Sequence, residues 1–392
     1  MSLLTVSGLR KRFSLDAGFF ARFGRFVSAV NGASFSIGRN ESYGLVGESG
    51  CGKTTTARLI VRMYEPDEGE ILFGGDLGGP ERRGAACQGA GRAVGALRGK
   101  ELRRYRQRVK YVFQDPARSL NPRMSVHDVL ASGYLWSGAP GARTRAGRAG
   151  LRGATAAALE EVGLSAADLD KRPSEFSGGQ RQRISIARSL LAQPELLICD
   201  EVVSALDVSV QSRILGLLLD IRERRAAEGR SMSFLFIAHD LKVACYFCDR
   251  IGVMYAGELV EEAPADTLWR DCRHPYTRML FASATGLQPG GSLGRAGGEG
   301  APAAGRRGDS LEAALKAGAP PPEEAPAAAP PAKGSPAPAF PPRGAAAGSA
   351  GAAMCAFAPR CPEASGLCFR EAPPMAQAEP GHMARCHFLP RR

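Results

Sequence analysis

The run Gly47-Glu48-Ser49-Gly50-Cys51-Gly52-Lys53-Thr54 constrains this chain more than any other part of it. It fits the pattern Gly-x-x-x-x-Gly-Lys-[Ser/Thr], follows the apolar run Tyr43-Gly44-Leu45-Val46 and precedes a helical pattern over Thr54 to Met63. A strand that turns through glycines into a helix offers consecutive backbone N–H groups and the positive end of the helix dipole to one anion. There Lys53 reaches the β- and γ-phosphates of a nucleotide, the Thr54 hydroxyl is offered to Mg²⁺, and Thr55 lies beside it in the first turn. A glycine-rich turn without a ligand is the bland alternative, and the flanking strand and helix speak against it.

Kinases, GTPases and many ATPases share such a cradle, so a second site decides more. Leu196-Leu197-Ile198-Cys199 predicts a fully buried strand, which brings Asp200 and Glu201 to its carboxyl end, the edge where open α/β sheets bind ligands. Asp200 can then hold Mg²⁺ and Glu201 can polarise an attacking water. Phe234 to Ile237 predicts a second buried strand, Leu3 to Val6 and Ser34 to Ile37 half-buried ones, and Val208 to Ile221 another helix. Strand, helix, strand in this order implies largely parallel pairing, preceded by an antiparallel start. Ser119 to Phe176, rich in Ala and Leu without buried-strand runs, predicts a helical subdomain that interrupts the α/β order.

Ser177-Gly178-Gly179-Gln180 opens a helical run over Ile184 to Leu191 and makes a second anion cradle without a lysine. Two cradles with one Lys-bearing site suggest that the second serves a nucleotide held by another subunit. With these motifs, residues 1 to about 285 closely resemble the ATP-binding subunits of ABC transporters. The resemblance implies an α/β fold: a P-loop ABC-type nucleotide-binding domain with a mostly parallel sheet, an antiparallel β subdomain and a helical subdomain near 119–176. It implies that Phe13 stacks on adenine, although an ordinary core Phe would read the same way. It further implies that Gln114 contacts Mg²⁺ or water and links the core to the helical subdomain, that Ser204-Ala205-Leu206-Asp207 communicates across a dimer, and that His239 reaches the γ-phosphate. Catalysis would rest on Glu201, His239, Lys53 and Gln114, with Mg²⁺ at Thr54, Gln114 and Asp200. ATP would lie between Gly47 to Thr54 of one subunit and Ser177 to Gln180 of the next.

Narrower features resemble the oligopeptide/dipeptide importer branch: Gln114-Asp115-Pro116, Ser119-Leu120-Asn121-Pro122-Arg123, Pro173-Ser174-Glu175-Phe176 and His274-Pro275-Tyr276-Thr277. The Asn-Pro-Arg form resembles the second of that branch's two ATPase subunits. This implies a homologous, non-identical ATPase partner, two membrane permeases and, indirectly, a solute-binding protein; nickel importers share the motifs. Val202 stands where the family has Pro, which loosens the turn that aims Glu201. Glu175 is a candidate for a cross-subunit or permease contact, or a solvated carboxylate. A soluble ABC-type ATPase acting on nucleic acid or ribosomes is the competing class, since the formal net charge is +12. That excess concentrates between residues 82 and 108, an Arg- and Gly-rich stretch poor in aromatics that reads as a solvated insertion, so no direct nucleic-acid contact is expected. A second Gly- and Arg-rich stretch runs from Gly138 to Gly153, and neither receives a role.

Gly286 to Ala353 is dominated by Ala, Gly and Pro and predicts a disordered linker, with a short amphipathic hint at Leu311 to Leu315. No apolar run approaches the roughly 18 residues of a membrane helix, and the start lacks the pattern of a signal peptide. The expected place is the cytoplasm, peripheral to the cell membrane. Ten cysteines are too dilute for a disulfide framework, and Cys245 and Cys248, three residues apart on one helical face, read as core thiols. Cys355, Cys361, Cys368 and Cys386 crowd into a Cys-rich module over 354–392 and suit zinc or an iron–sulfur cluster. The segment resembles the C-terminal Cys motif of peptide-importer ATPases, which implies a 4Fe-4S cluster, with zinc or unligated thiols as alternatives. A long linker would leave this module at no fixed distance from the ATP site, so its expected role is structural.

Overall fold

The computed structural model describes residues 2–14, 26–75, 77, 91–137, 145–204, 206–285 and 354–389. The linker 286–353 with its amphipathic hint, residues 76 and 78–90 of the Arg/Gly insertion near 76–100, residues 138–144 and Ala205 lie outside the described residues. In chain order the elements are β1 (Ser2–Ser14), β2 (Phe26–Gly38), β3 (Ser42–Val46), α1 (Lys53–Ile60), β4 (Glu68–Phe73), β5 (Arg92–Ala93), α2 (Gly99–Arg108) and β6 (Val109–Val112). The helices α3 (Pro116–Ser119), α4 (Val126–Ser137), α5 (Arg145–Glu161) and α6 (Gly178–Leu190) follow. Next come β7 (Leu196–Asp200), α7 (Val208–Ala227), β8 (Ser233–Ala238), α8 (Leu241–Phe247), β9 (Arg250–Tyr255), β10 (Glu258–Pro264), α9 (Ala265–Arg270) and α10 (Pro275–Thr285). The last described strands are β11 (Ala376–Glu379) and β12 (His382–Ala384).

Two sheets result. The first runs β2-β1-β4-β5 and is antiparallel throughout. The second runs β11-β12-β10-β9-β3-β8-β7-β6, parallel from β9 to β6 and antiparallel beyond β9. Every residue of β3, β7 and β8 is buried, because the second sheet is covered on both faces. Leu196 and Ile198 face a core shared with α1 and the first sheet, while Leu197 and Cys199 face a core shared with α6 and α7. That double cover is why the strands read as continuous apolar runs rather than alternating ones.

Between β6 and β7 the described chain is helical, and α6 packs on α3, α4, α5 and α7. The second Gly- and Arg-rich stretch is helical from Arg145 onward. Glu175 caps a 3₁₀ turn, its Oε2 accepting the Arg172 N–H at 2.6 Å. Cys245 and Cys248 lie at α8 with thiols held protonated by burial, that of Cys245 pushed up to about 12, as core cysteines require.

The C-terminal segment departs from the expectation of a module at no fixed distance. β12 pairs with β10 through Glu261↔Ala384 and Glu262↔Met383, so the β11–β12 hairpin extends the second sheet. Phe357, 1% exposed, sits among the rings of Tyr255, Tyr276 and His274 at 5.2, 5.4 and 5.7 Å. Buried His382 meets buried Glu261 at 2.7 Å, and Arg278 and Arg273 pair with Glu363 and Glu379 at 2.9 and 2.7 Å. Linker length therefore does not set the distance; these contacts do.

Candidate functional site

β3 delivers the chain to the glycine loop at its carboxyl end, and α1 starts at Lys53 with no acidic residue in its first turn, which leaves the positive helix end free for an anion. Gly52 must be glycine: its φ is +110°, and a Cβ there would meet the Ala29 carbonyl oxygen at 2.1 Å. The Lys53 ammonium is buried and donates to the carbonyls of Gly47 and Glu48 at 2.7 and 2.9 Å, with Cys51 Sγ at 3.7 Å. Burial raises the Cys51 thiol above its usual range, so it stays protonated beside that ammonium. Ser49 and Gly50 are exposed at the loop tip, and Thr54 and Thr55 are half-buried.

β7 brings Asp200 to the same edge, as the buried run predicts. Thr54 Oγ1 donates to Asp200 Oδ1 at 3.0 Å, and the Tyr111 hydroxyl donates to Asp200 Oδ2. Tyr111, in β6, is a functional neighbour that the sequence reading missed; the available signal was a tyrosine in a buried strand, whose hydroxyl needs a partner. Glu201 follows with φ +49°, its N–H donating to the Ile237 carbonyl at 3.0 Å. Its own carbonyl accepts the Ser204 N–H at 3.2 Å and the Ser204 hydroxyl at 2.9 Å, which closes the turn. Val202 does not leave that turn open, because its side chain is 2% exposed and anchored in the core.

Gln114 Nε2 donates to Glu201 Oε2 at 2.6 Å, which joins the loop after β6 to the carboxylate. Glu201, Ser204, Gln211, His239 and Asp240 line one pocket, with His239 exposed at its mouth. The Gln211 amide donates to the carbonyls of Val203 and Leu206, both at 2.9 Å, and pins the loop that carries exposed Asp207. Gln211 was also missed, and nothing in its local sequence marks it.

The second cradle is an N-terminal capping box. Ser177 Oγ accepts the Gln180 N–H at 3.3 Å while Gln180 Oε1 accepts the Ser177 N–H at 2.9 Å. Gly178 and Gly179 pack towards Leu206 and Val210, so this cradle sits beside the Asp207 loop. Phe13, next to last in β1, lies opposite Val27, two residues from Ala29, whose carbonyl lies against Gly52. Its ring meets the edge of Tyr64 at 5.4 Å.

Cys355, Cys361, Cys368 and Cys386 line a common pocket with His274, Phe357 and Glu363. Burial raises the thiols of Cys355, Cys361 and Cys386. Among the described residues, however, no group of three or more His, Cys, Asp or Glu side chains is spaced to hold a metal ion. The pocket lies near the glycine loop: Arg360 Nη1 and Nη2 donate to Glu48 Oε2 and Oε1, each at 2.8 Å.

Residues 30–204 match the ABC transporter family, and residues 260–308 match the oligopeptide/dipeptide transporter C-terminal region. The chain is 41% identical to the oligopeptide transport ATP-binding protein OppF of Bacillus subtilis over 72% of its length and 82% of that protein's. It is 34% identical to AppF, an oligopeptide transport ATP-binding protein of the same organism, over 99% of the chain and 97% of AppF. The fold is similar to the dimeric structure of MJ0796, a bacterial ABC transporter cassette, with a TM-score of 0.53 and 22% identity over 67% of this chain and 98% of that one. It is also similar to a nucleotide-free ATP-binding cassette from an ABC transporter, with a TM-score of 0.54 and 19% identity over 72% and 99% of the two chains. On this ground the chain belongs to the ATP-hydrolysing subunits of ABC transporters, in the oligopeptide/dipeptide branch.

Proposed function

We propose that the chain hydrolyses ATP to power uptake of di- and oligopeptides through a membrane ABC importer. The observation that carries the hydrolytic part is the meeting of Thr54, Asp200, Gln114 and Glu201 at the mouth of the glycine loop. Thr54 Oγ1 and Asp200 Oδ1 are hard oxygen donors on adjacent elements, a set that fits Mg²⁺, and the Gln114 amide, bonded to Glu201 beside Asp200, is the third candidate ligand. When bound, Mg²⁺ supplies positive charge to the phosphate oxygens. Lys53 exchanges its two loop carbonyls for phosphate oxygens, and Phe13 offers a face to the base. Glu201, oriented by Gln114, takes the proton of the attacking water, and His239 donates to the oxygens on which charge develops. Ser177 to Gln180 of a second ATPase subunit closes over the γ-phosphate, and Asp207 lies at that junction.

That second subunit is a homologous, non-identical ATPase, and two permeases receive the motion through the helices between Ser119 and Phe176. No helix among the described residues is long and apolar enough to cross a membrane, in keeping with a subunit attached to permeases at the cytoplasmic face. Co-purified with its permeases, the chain should turn over ATP faster when a peptide-loaded solute-binding protein is added. Stimulation by a nickel-loaded binding protein instead would move it to a metal importer, and stimulation by RNA would make it a soluble ATPase.

The four tail cysteines are the ligands of a 4Fe-4S cluster that staples residues 354–389. Support comes from their four soft donors lining one pocket. Anaerobic protein should carry iron and acid-labile sulfide; one stoichiometric zinc and no iron would replace the cluster.

A further inference from the structure

Glu48 is held from outside its loop at two separate groups, its carboxylate and its backbone N–H. Its carboxylate takes both arms of the Arg360 guanidinium at 2.8 Å, and its backbone N–H donates to the Tyr276 hydroxyl at 2.9 Å. Its carbonyl accepts from Lys53, the group that must swing away to meet a phosphate. The loop turns through left-handed glycines at Gly50 and Gly52, and beside its internal bonds from Lys53 these anchors tie it to the C-terminal segment and α10.

Arg360 and Tyr276 are themselves fixed together. The Arg360 guanidinium lies over the Tyr255 ring at 5.7 Å, and the Phe357 ring packs on both Tyr255 and Tyr276. Tyr276 belongs to His274-Pro275-Tyr276-Thr277, which the sequence marks without giving it a chemical task. The Glu48 carboxylate raises the Arg360 guanidinium further above its usual range, in keeping with a forked, charge-assisted pair.

We infer that Arg360 is a positioning residue for nucleotide binding: through Glu48, and together with Tyr276, it holds the glycine loop open for the phosphates while Lys53 changes partners. The seated C-terminal segment thereby becomes part of the ATP site's support. This rests on the ATP-binding reading above and goes beyond it, because that reading needs only residues before 240.

The test titrates the full-length chain with a fluorescent ATP analogue and Mg²⁺. Arg360→Ala and Glu48→Gln should each raise Kd roughly three- to tenfold, a range suited to a forked pair with both side chains partly exposed. The double variant should be no weaker than the weaker single one, since both remove one interaction. Arg360→Lys, which keeps the charge and loses the fork, should fall between wild type and Arg360→Ala. Arg278→Ala, which breaks the tail's pair with Glu363 without touching the loop, should leave Kd unchanged. In the assembled transporter Arg360→Ala should raise KM for ATP while kcat holds. An unchanged Kd in Arg360→Ala, independent multiplication of the two single effects, or an equal loss in Arg278→Ala would overturn the inference. A wild-type chain that fails to bind the analogue would overturn it together with the ATP-binding reading, whereas binding with no difference among variants overturns this inference alone.

Discussion

Phe357→Ala should unseat the C-terminal segment without unfolding the body. Phe357 is 1% exposed and its ring meets three others, so truncation loses the buried surface and leaves a cavity, together worth about 3–5 kcal/mol. What remains is the two residue pairs between β12 and β10, the buried His382–Glu261 contact, and the Arg273–Glu379, Arg278–Glu363 and Arg360–Glu48 ion pairs, which are partly exposed. The local opening constant should therefore rise by about two to four powers of ten. Hydrogen exchange read by mass spectrometry resolves this in the full chain. The Cys355 N–H, bonded to the Cys368 carbonyl, and the Arg385 N–H, bonded to the Val260 carbonyl, should both exchange faster, while amides of β7 and β8 keep their rates. Unchanged exchange over residues 354–385 would refute the ring cluster as the anchor. Equal acceleration in β7 and β8 would refute local opening.

Three further outcomes follow from the geometry. Lys110, in β6, is half-buried near Arg188, and desolvation first, then Arg188, lowers its ammonium to about 8 from an ordinary 10.5. The folded state thus disfavours the proton, a cost fully present below pH 8 and relieved as pH rises towards 10.5; Lys110→Met should stabilise the protein at pH 7 by about 1–3 kcal/mol and lose that advantage near pH 10.5, as denaturant titrations at the two pH values would show. Tyr111→Phe removes the donor to Asp200 Oδ2 and should raise the Mg²⁺ concentration needed for half-maximal turnover several-fold with little change in folding, measured by titrating Mg²⁺ at fixed ATP. Ser177→Ala breaks the capping box and should cost α6 only about 1 kcal/mol in thermal unfolding, yet lower ATP turnover by about tenfold or more if, as proposed, this turn closes over the nucleotide of a second subunit.

The strands and cradles were legible because their signals are local. The continuous runs at residues 43–46, 196–199 and 234–237 follow from a sheet covered on both faces, and the glycine loop follows from what a phosphate needs of a backbone. The Asp200–Glu201 edge was legible for the same reason, since a buried strand fixes where its last residue emerges. Tyr111 and Gln211 were not, because a hydroxyl or an amide that props a catalytic loop leaves no periodic trace. The seating of the tail was the largest miss: Phe357 and Arg360 meet Tyr276 and Glu48 across a long stretch of sequence, and no spacing rule connects them. An Ala-, Gly- and Pro-rich stretch reads as separation, whereas two short strands and one buried ring are enough to bring the ends together.

The most direct test of the central claim compares wild type with Glu201→Gln in the transporter assembled with its permeases. Glu201 accepts from Gln114 at 2.6 Å, and an amide at that position keeps the shape but cannot take a proton from water. ATP affinity should be retained, turnover should fall by about a hundredfold or more, and an ATP-bound closed dimer should accumulate. Equal turnover in the two proteins would contradict the assignment of hydrolysis to this carboxylate at the edge of the glycine loop.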